Sequence, residues 1–293
     1  MVRIRETAWT PAERTTPDDD LGDRARALAE LMRGARTVVL TGAGVSTPSG
    51  IPDYRGPDSP ARTPMTYQQF VGDADFRRHY WARNHVGWRH MEAARPNGAH
   101  RLIADWERRG LVTGVITQNV DLLHLKAGST RIVDLHGTYA VVVCLECGAR
   151  RSRWALHEDL ERLNPGFAEH AASRGAIEVA PDADALLSDT SAFRVADCPG
   201  CGGVLKPDIV YFGENVPAAR VAEAHALVDA ADLVVVVGSS LTVRSGYRFV
   251  RRAVTSGTPV AVVNRGRTRA HPEAALTLDG DCVQALTLVD AGL

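Results

Sequence analysis

Short, continuously apolar runs recur along this chain and alternate with segments that have the spacing of an amphipathic helix. Three segments show helical spacing, with apolar residues three or four positions apart: Leu21–Met32, Ala99–Arg109 and Ala218–Asp229. Five runs are typical of buried strands: Thr37–Leu40, Val112–Thr117, Ile132–Leu135, Leu233–Val237 and Pro259–Val263. Because strands that are apolar on both faces are typical of parallel sheets covered by helices, the alternation predicts a doubly wound α/β fold.

Two segments interrupt this alternation and are predicted to be insertions. Residues 62–95 are rich in aromatic residues and arginine, and residues 141–203 contain two cysteine pairs. We expect the two insertions to build a smaller, helical and zinc-binding domain, whereas residues 1–20 are predicted to be a flexible lead-in. The rest of the chain forms the predicted Rossmann-like core: residues 21–61, 96–140 and 204–293.

The charge balance argues against a polyanionic partner. The 293 residues include 34 Lys+Arg and 35 Asp+Glu, which gives a formal net charge of −1. Since nucleic acids and anionic membranes attract basic surfaces, we expect neither as a partner. No run approaches the ~18 apolar residues of a membrane span, and residues 1–20 lack the apolar core of a secretory peptide. We therefore expect a cytoplasmic protein.

Four of the five cysteines form two C-x-x-C pairs, each followed by glycine: Cys144 with Cys147, and Cys198 with Cys201. Two residues between thiolates allow one tight turn to present both sulfurs to a tetrahedral metal, so we predict one structural Zn²⁺ with a closed coordination shell. Unrelated thiols or a redox pair are the alternative. A nucleic-acid-binding zinc ribbon is disfavoured, because the segment from the first to the last of these cysteines holds six arginines, no lysine and ten acidic residues.

A glycine-rich loop follows the first predicted strand. The fifteen residues Gly42–Gly56 contain four glycines and two prolines, together with Asp53 and Arg55. A dinucleotide fingerprint would have its third glycine at the position of Thr47, so an ordinary dehydrogenase is disfavoured. A run so rich in turn-forming residues is predicted to shape a loop over a ligand.

This loop, GAGVSTPSGIPDYRG, resembles the NAD-binding signature of the sirtuins, which are NAD-dependent protein deacylases. Further sirtuin-like blocks follow in the order found in the family: Thr117–Asp121, Leu135–Gly137, the two cysteine pairs, Pro207–Glu214, Gly238–Ser240 and Val263–Asn264. The resemblance identifies residues 21–293 as a sirtuin-type catalytic domain of a bacterial protein. The segments Tyr80–Asn84 and Ser245–Arg248 are most similar to the class II branch, which is known for acyl groups other than acetyl.

The resemblance implies a reaction and a set of residues for it. The acyl group of a modified lysine would pass to ADP-ribose, with release of nicotinamide and 2′-O-acyl-ADP-ribose. His136 would be the general base, and Asn119 would order the ribose and its water. The residues implied to contact NAD are Gly42, Ala43, Gly44, Ser46, Ile51, Asp53, Tyr54, Arg55, Gln118, Asn119, Asp121, Gly238, Ser239, Ser240, Asn264 and Cys282.

Each of these assignments has a structural alternative. His136 is also compatible with a core or surface histidine, and Asp121 with a helix cap, because aspartate at a helix start commonly accepts backbone N–H bonds. His124 is interpreted as structural, and Cys282 alone indicates only a small packed residue.

The resemblance also implies residues that bind the acylated protein substrate. Four belong to an edge that would pair with the peptide as an added strand: Val210, Phe212, Gly213 and Glu214. Tyr80 and Arg83 are predicted to lie on one helical face beside the acyl group, where the guanidinium would bind an acidic acyl end. The alternatives are a plain strand and turn for the first group and a solvated helix residue for Arg83.

Two other functions use the same cofactor site. A protein mono-ADP-ribosyltransferase would send the ribose to a protein nucleophile, and a catalytically silent NAD-sensing scaffold would bind the cofactor without turnover. The scaffold would be favoured by loss of the histidine or asparagine, but His136, Asn119 and Asp121 are all present.

Overall fold

The fold is taken from a computed structural model that describes residues 18–53, 64–173 and 189–293. The strands are β1 (Thr37–Thr41), β2 (Val112–Thr117), β3 (Ile132–Asp134), β4 (Gly137–Cys144), β5 (Arg150–Ser152), β6 (Leu205–Ile209), β7 (Leu233–Val237), β8 (Val260–Asn264) and β9 (Leu276–Asp279). The helices are α1 (Leu21–Met32), α2 (Tyr67–Gly72), α3 (Ala74–Ala93), α4 (Gly98–Arg108), α5 (Leu123–Ala127), α6 (Arg153–Leu163), α7 (Phe167–Ser173), α8 (Ala218–Asp229), α9 (Arg244–Thr255) and α10 (Cys282–Asp290).

Six of these strands form a parallel sheet in the order β3-β2-β1-β7-β8-β9. The predicted α/β fold is thereby confirmed, with all five predicted strands present and their ends shifted by one residue at most. The three helices predicted from apolar spacing are also confirmed as α1, α4 and α8.

Alternate residues of each central strand belong to different hydrophobic clusters, which explains why the strands are apolar throughout. Val39 and Val235 pack in a cluster with residues of α1, α4 and α10. Val38 and Val236 pack in another with residues of α8 and α9. Since helices cover both faces, every position of β1 and β7 is buried, and no polar alternation appears.

A second sheet is antiparallel and has the order β5-β4-β6. It packs in a cluster with aromatic residues from the α2 and α3 segments, in which Phe70 stacks on Tyr211 with ring centroids 5.1 Å apart. The division of the chain into a core and a smaller insertion domain stays a prediction.

Most of the predicted lead-in lies outside the described residues. At its end, Asp18 donates from its backbone to Asp279 and accepts from the Asp279 N–H through its carboxylate, which ties the start of α1 to β9. Within the described ranges, no helix is long and apolar enough to cross a membrane.

Candidate active site

A cavity of about 550 Å³ opens at the carboxyl ends of the parallel strands. Its walls come from the loops that follow β1, β2, β3, β7 and β8, together with the segment after β6 of the second sheet. The chain order reverses between β1 and β7, because β2 and β3 lie on one side of β1 and β7 to β9 on the other. Such a switch point is where open α/β sheets bind their ligands.

Most of the predicted catalytic and cofactor residues meet in this cavity. Those that line it are Gly42, Ala43, Gly44, Ser46, Ile51, Asp53, Gln118, Asn119, Asp121, His136, Gly238, Ser239, Ser240 and Asn264. Tyr54 and Arg55 lie outside the described residues. Cys282 is not among the lining residues; it is buried at the start of α10, where burial raises the pKa of its thiol to about 12.

The glycine loop crosses the β7 loop at a distance that excludes side chains. The Gly44 N–H donates to the Gly238 carbonyl at 2.9 Å. A Cβ on Gly44 would lie 2.9 Å from that same oxygen, and one on Gly238, whose φ is +62°, would lie 2.3 Å from the Val45 nitrogen. Two short 3₁₀ turns, Ala43–Val45 and Thr47–Ser49, follow the first glycine, in place of the helix that a dinucleotide fingerprint opens.

A buried polar network joins the β1 and β2 loops. The Ser46 hydroxyl donates to Asp121 Oδ2 at 2.7 Å, and the Asn119 amide donates to Ser46 Oγ at 3.0 Å and to the Gly42 carbonyl at 3.1 Å. Asp121 Oδ1 accepts from the N–H of Leu123, the first residue of α5, whose N-cap position is occupied by Leu122, so the aspartate holds the start of this helix as well as lining the cavity. Burial raises the pKa of the Asp121 carboxyl.

His136 follows β3 and has a partner at each ring nitrogen. Nδ1 lies 2.9 Å from the Gln118 carbonyl oxygen, and Nε2 lies 2.7 Å from Ser245 Oγ. A carbonyl only accepts, so the hydrogen is assigned to Nδ1, and Nε2 then accepts from the Ser245 hydroxyl. Burial lowers the pKa of His136 from its ordinary value to about 4, which leaves the imidazole neutral near pH 7.

Ser245 was missed as a functional residue by the sequence analysis, although it opens a segment that carries the class II resemblance. In the sequence, Ser245 is marked only by its place beside Gly246 in that segment. The partner of the serine could be found only in three dimensions, because 109 residues separate it from His136.

Two further histidines lie beneath the glycine loop and do not line the cavity. His124 Nε2 contacts Thr41 Oγ1 at 3.0 Å, and its ring centroid is 4.8 Å from that of His100. His100 Nε2 is 3.5 Å from Ser46 Oγ. Both are buried, in agreement with the structural interpretation of His124.

The four paired cysteines converge as predicted. Their sulfurs all lie within 4.8 Å of one another, with Cys144 and Cys201 at 3.5 Å and Cys147 and Cys198 at 3.8 Å. A tetrahedral zinc with Zn–S bonds of ~2.3 Å needs sulfurs about 3.8 Å apart. The donor set therefore fits a zinc ion, and four thiolates leave no position for a reacting water.

The predicted substrate edge lies next to His136. The Val210 N–H donates to the His136 carbonyl at 2.8 Å, and the Phe212 carbonyl accepts from the Tyr67 N–H at 2.9 Å. Four residues of this edge line the cavity: Val210, Phe212, Gly213 and Glu214. Its pairing with a peptide stays a prediction.

The predicted acyl-pocket pair is placed differently. Tyr80 is buried among aromatic rings, edge-to-face with Phe70 and Tyr211. The Arg83 guanidinium donates to His79 Nε2 at 3.0 Å. Neither Tyr80 nor Arg83 is among the described residues that line the cavity, so the structure does not bring this pair together with His136.

Comparison with known proteins gives a consistent result. The sequence profile of the Sir2 family matches residues 42–245. The chain is 58% identical to "NAD-dependent protein deacetylase 1" of Mycobacterium avium (strain 104), over 89% of this chain and 93% of the relative. It is 49% identical to the protein of the same name from Streptomyces coelicolor, over 98% and 95%.

Solved structures agree with these relatives. A Sir2 complex with a p53 peptide and NAD⁺ superposes with a TM-score of 0.73 at 32% identity, covering 91% of this chain and 97% of that one. A Sir2 complex that contains 2′-O-acetyl-ADP-ribose and a deacetylated p53 peptide superposes with a TM-score of 0.65 at 31% identity, covering 91% and 98%.

Proposed function

This chain belongs to the Sir2 family and is an NAD-dependent protein deacetylase, and from that premise we propose which of its residues carry out the reaction. The acyl group passes from lysine to ADP-ribose, with release of nicotinamide. One observation supports the assignment above all others: a neutral His136, with a hydrogen-bonded Nε2, lines the same cavity as the glycine loop.

NAD lies across the ends of the strands in this proposal. The cavity volume, about 550 Å³, falls within the ~300–1,000 Å³ of small-molecule sites. Gly44 and Gly238 cross so closely that neither can carry a side chain, so this part of the cavity wall presents backbone, which suits the diphosphate. Since His136 lies beyond β2 on one side, the adenosine belongs on the other, near Asn264 at the end of β8.

The nicotinamide half then meets the Ser46, Asn119 and Asp121 network. When bound, NAD supplies a ribosyl carbon whose nicotinamide leaves as a neutral molecule, so no acid is needed at that step. These three side chains already hold one another, because Ser46 bonds both Asp121 and Asn119. We propose that Asp121 orients the carboxamide and that Asn119 orders the ribose.

His136 acts as the general base in this proposal. Its neutral ring accepts a proton from a ribose hydroxyl at Nε2, while Nδ1–H continues to donate to the Gln118 carbonyl and stabilises the resulting imidazolium. Because burial lowers the pKa of His136 to about 4, the ring is available as a base throughout the neutral range. General bases of this kind typically contribute ~10²–10⁴-fold to the rate.

The remaining assignments follow from the same premise. Cys144, Cys147, Cys198 and Cys201 would hold the structural zinc, away from the cavity. The segment Val210–Glu214 would pair with the backbone of the acylated protein substrate. We propose that the protein works in the cytoplasm, where acylated lysine proteins and NAD are both available.

Incubation with NAD and an acetyl-lysine peptide, followed by mass spectrometry, tests the proposal. We expect free nicotinamide, deacetylated peptide and O-acetyl-ADP-ribose in equal amounts, and at least a hundredfold slower deacetylation by His136→Ala. The matched control is His170→Gln, at an exposed position of α7. Labelled protein in place of O-acetyl-ADP-ribose would indicate ADP-ribosyl transfer, and full activity of His136→Ala would refute the role of the base.

A further inference from the structure

Ser245 has no role of its own in the assignments above, although it is joined to His136 by a hydrogen bond. At 2.7 Å this bond is shorter than the bond from His136 Nδ1 to the Gln118 carbonyl, and it involves the nitrogen that is proposed to take the ribose proton. Both side chains line the cavity. The imidazole is therefore held at two nitrogens, one by main chain and one by a side chain.

Packing at the start of α9 keeps Ser245 beside His136. Ser245 is the second residue of α9. The N-cap of this helix is Val243, which makes no side-chain capping hydrogen bond. The next residue, Gly246, packs so tightly that a Cβ there would lie 2.6 Å from Gln118 Oε1. Since the Gln118 carbonyl is the other anchor of the imidazole, the start of α9, Gln118 and His136 form one contact unit.

We propose that Ser245 is a positioning residue of the deacetylation: its hydroxyl holds the His136 imidazole in the tautomer and orientation that proton transfer requires. The inference rests on the proposed role of His136. In the neutral ring, the Ser245 hydroxyl donates to Nε2. Because Nε2 has a single lone pair, the serine hydroxyl rotates its hydrogen away when the ribose hydroxyl donates there. Once the ribose proton has passed to Nε2, both ring nitrogens carry hydrogen, and the Ser245 oxygen accepts from Nε2–H, because a hydroxyl both donates and accepts.

The size of the effect follows from the strength of one neutral hydrogen bond. Such a bond contributes enough to change a rate or an equilibrium about three- to tenfold. Loss of the bond in Ser245→Ala acts on the step in which His136 takes the proton. Cleavage of the nicotinamide bond comes before that step, so it does not depend on the serine.

The test compares two rates on the same preparation of Ser245→Ala. One is kcat/KM for deacetylation of an acetyl-lysine peptide, and the other is the exchange of labelled nicotinamide into NAD in the presence of that peptide. We expect deacetylation to fall about three- to tenfold while exchange stays within twofold of the wild type. Ser245→Thr, which keeps the hydroxyl, is expected to restore most of the deacetylation.

The matched control is Ser256→Ala, at the exposed C-cap of the same helix, for which both rates are expected to equal those of the wild type. Unchanged deacetylation in Ser245→Ala would overturn the inference. A parallel fall of deacetylation and exchange would overturn it too, because it would indicate a general structural defect. The proposed function is tested separately: if His136→Ala keeps its activity, the base is wrong, whereas an inactive His136→Ala beside a normal Ser245→Ala refutes only the serine.

Discussion

The two histidines beneath the glycine loop are expected to make the protein sensitive to acid. Burial lowers the pKa of His100 to about 3 and that of His124 to about 4, and for His100 the neighbouring His124 adds to the effect. Both side chains are almost fully inaccessible. Within the described part of the chain, His124 Nδ1 has no hydrogen-bond partner, so a proton added there would be buried without an acceptor.

The direction of the pH dependence follows from how many protons the folded and the unfolded protein bind. A histidine with a lowered pKa stays neutral in the folded protein, whereas it takes up a proton in the unfolded chain as the pH falls through ~6.5. Acid therefore favours unfolding from about pH 6.5 down to the folded pKa. Between pH 7 and pH 5, each of the two histidines is expected to lower the free energy of unfolding by about 2 kcal/mol. Together they would remove about 4 of the ~5–15 kcal/mol typical of folded domains.

The assay is denaturant unfolding at several pH values between 5 and 7, with excess zinc so that the metal site stays loaded. His124→Gln provides an amide donor to Thr41 and cannot titrate, so we expect its pH dependence to be about 2 kcal/mol smaller than that of the wild type. His170→Gln, at an exposed position, is expected to behave like the wild type. Equal pH dependence in His124→Gln and the wild type would refute the reasoning.

Three further predictions concern the metal, the glycine crossing and the acyl group. Purified protein should contain one zinc by atomic absorption, and Cys144→Ser should lose it together with thermal stability, because metal binding stabilises the fold; a stable zinc-free protein would contradict the site. Gly238→Ala should abolish NAD binding in calorimetry, whereas Gly257→Ala, with φ +77° but open space around it, should cost only about 1 kcal/mol of stability. If Arg83 binds acidic acyl chains, Arg83→Met should lower kcat/KM for succinyl-lysine peptides relative to acetyl-lysine peptides, and an unchanged ratio would contradict that hypothesis.

The parallel sheet could be predicted because its strands are buried on both faces, so each leaves an uninterrupted apolar run. In the second sheet, β4 contains an apolar run, Tyr139–Cys144, that the sequence analysis did not assign to a strand, whereas β5 and β6 leave no such signal. β6 has the sequence Leu-Lys-Pro-Asp-Ile, in which a charged residue and a proline hide the strand. Its Lys206 is buried nonetheless, because the ammonium lies 3.0 Å from Glu214 Oε2 and donates to the Ile209 carbonyl. A compensation of this kind depends on tertiary contacts that a local pattern does not contain.

The candidate site, too, could be predicted only in part from the sequence. Cysteine pairs, the glycine loop and His136 could be found from the sequence, because their chemistry depends on residue type and on short spacings. The partner of His136 could not, because the contact joins the loop after β3 to the start of α9, which are far apart in the sequence. For Arg83, helical spacing predicted a shared helix face with Tyr80. Spacing alone does not determine which part of the protein that face contacts, and neither residue lines the cavity among the described residues.

At two positions of the site the backbone adopts a conformation that its residue type disfavours. Among the described residues, Leu122 and Leu241 are the non-glycine residues with left-handed backbone, at φ +63° and +54°. Leucine is unfavourable there by about 1–2 kcal/mol, so neither turn is visible in the sequence. Leu122 directly follows Asp121, and Leu241 directly follows Ser240, both of which line the cavity. Leu241 is 1% exposed and packs in the cluster with α8 and α9, which offsets the strain and directs the chain into the helix that carries Ser245. The two strained turns therefore belong to the construction of the site: one follows the polar network of the β2 loop, and the other precedes the helix that carries Ser245.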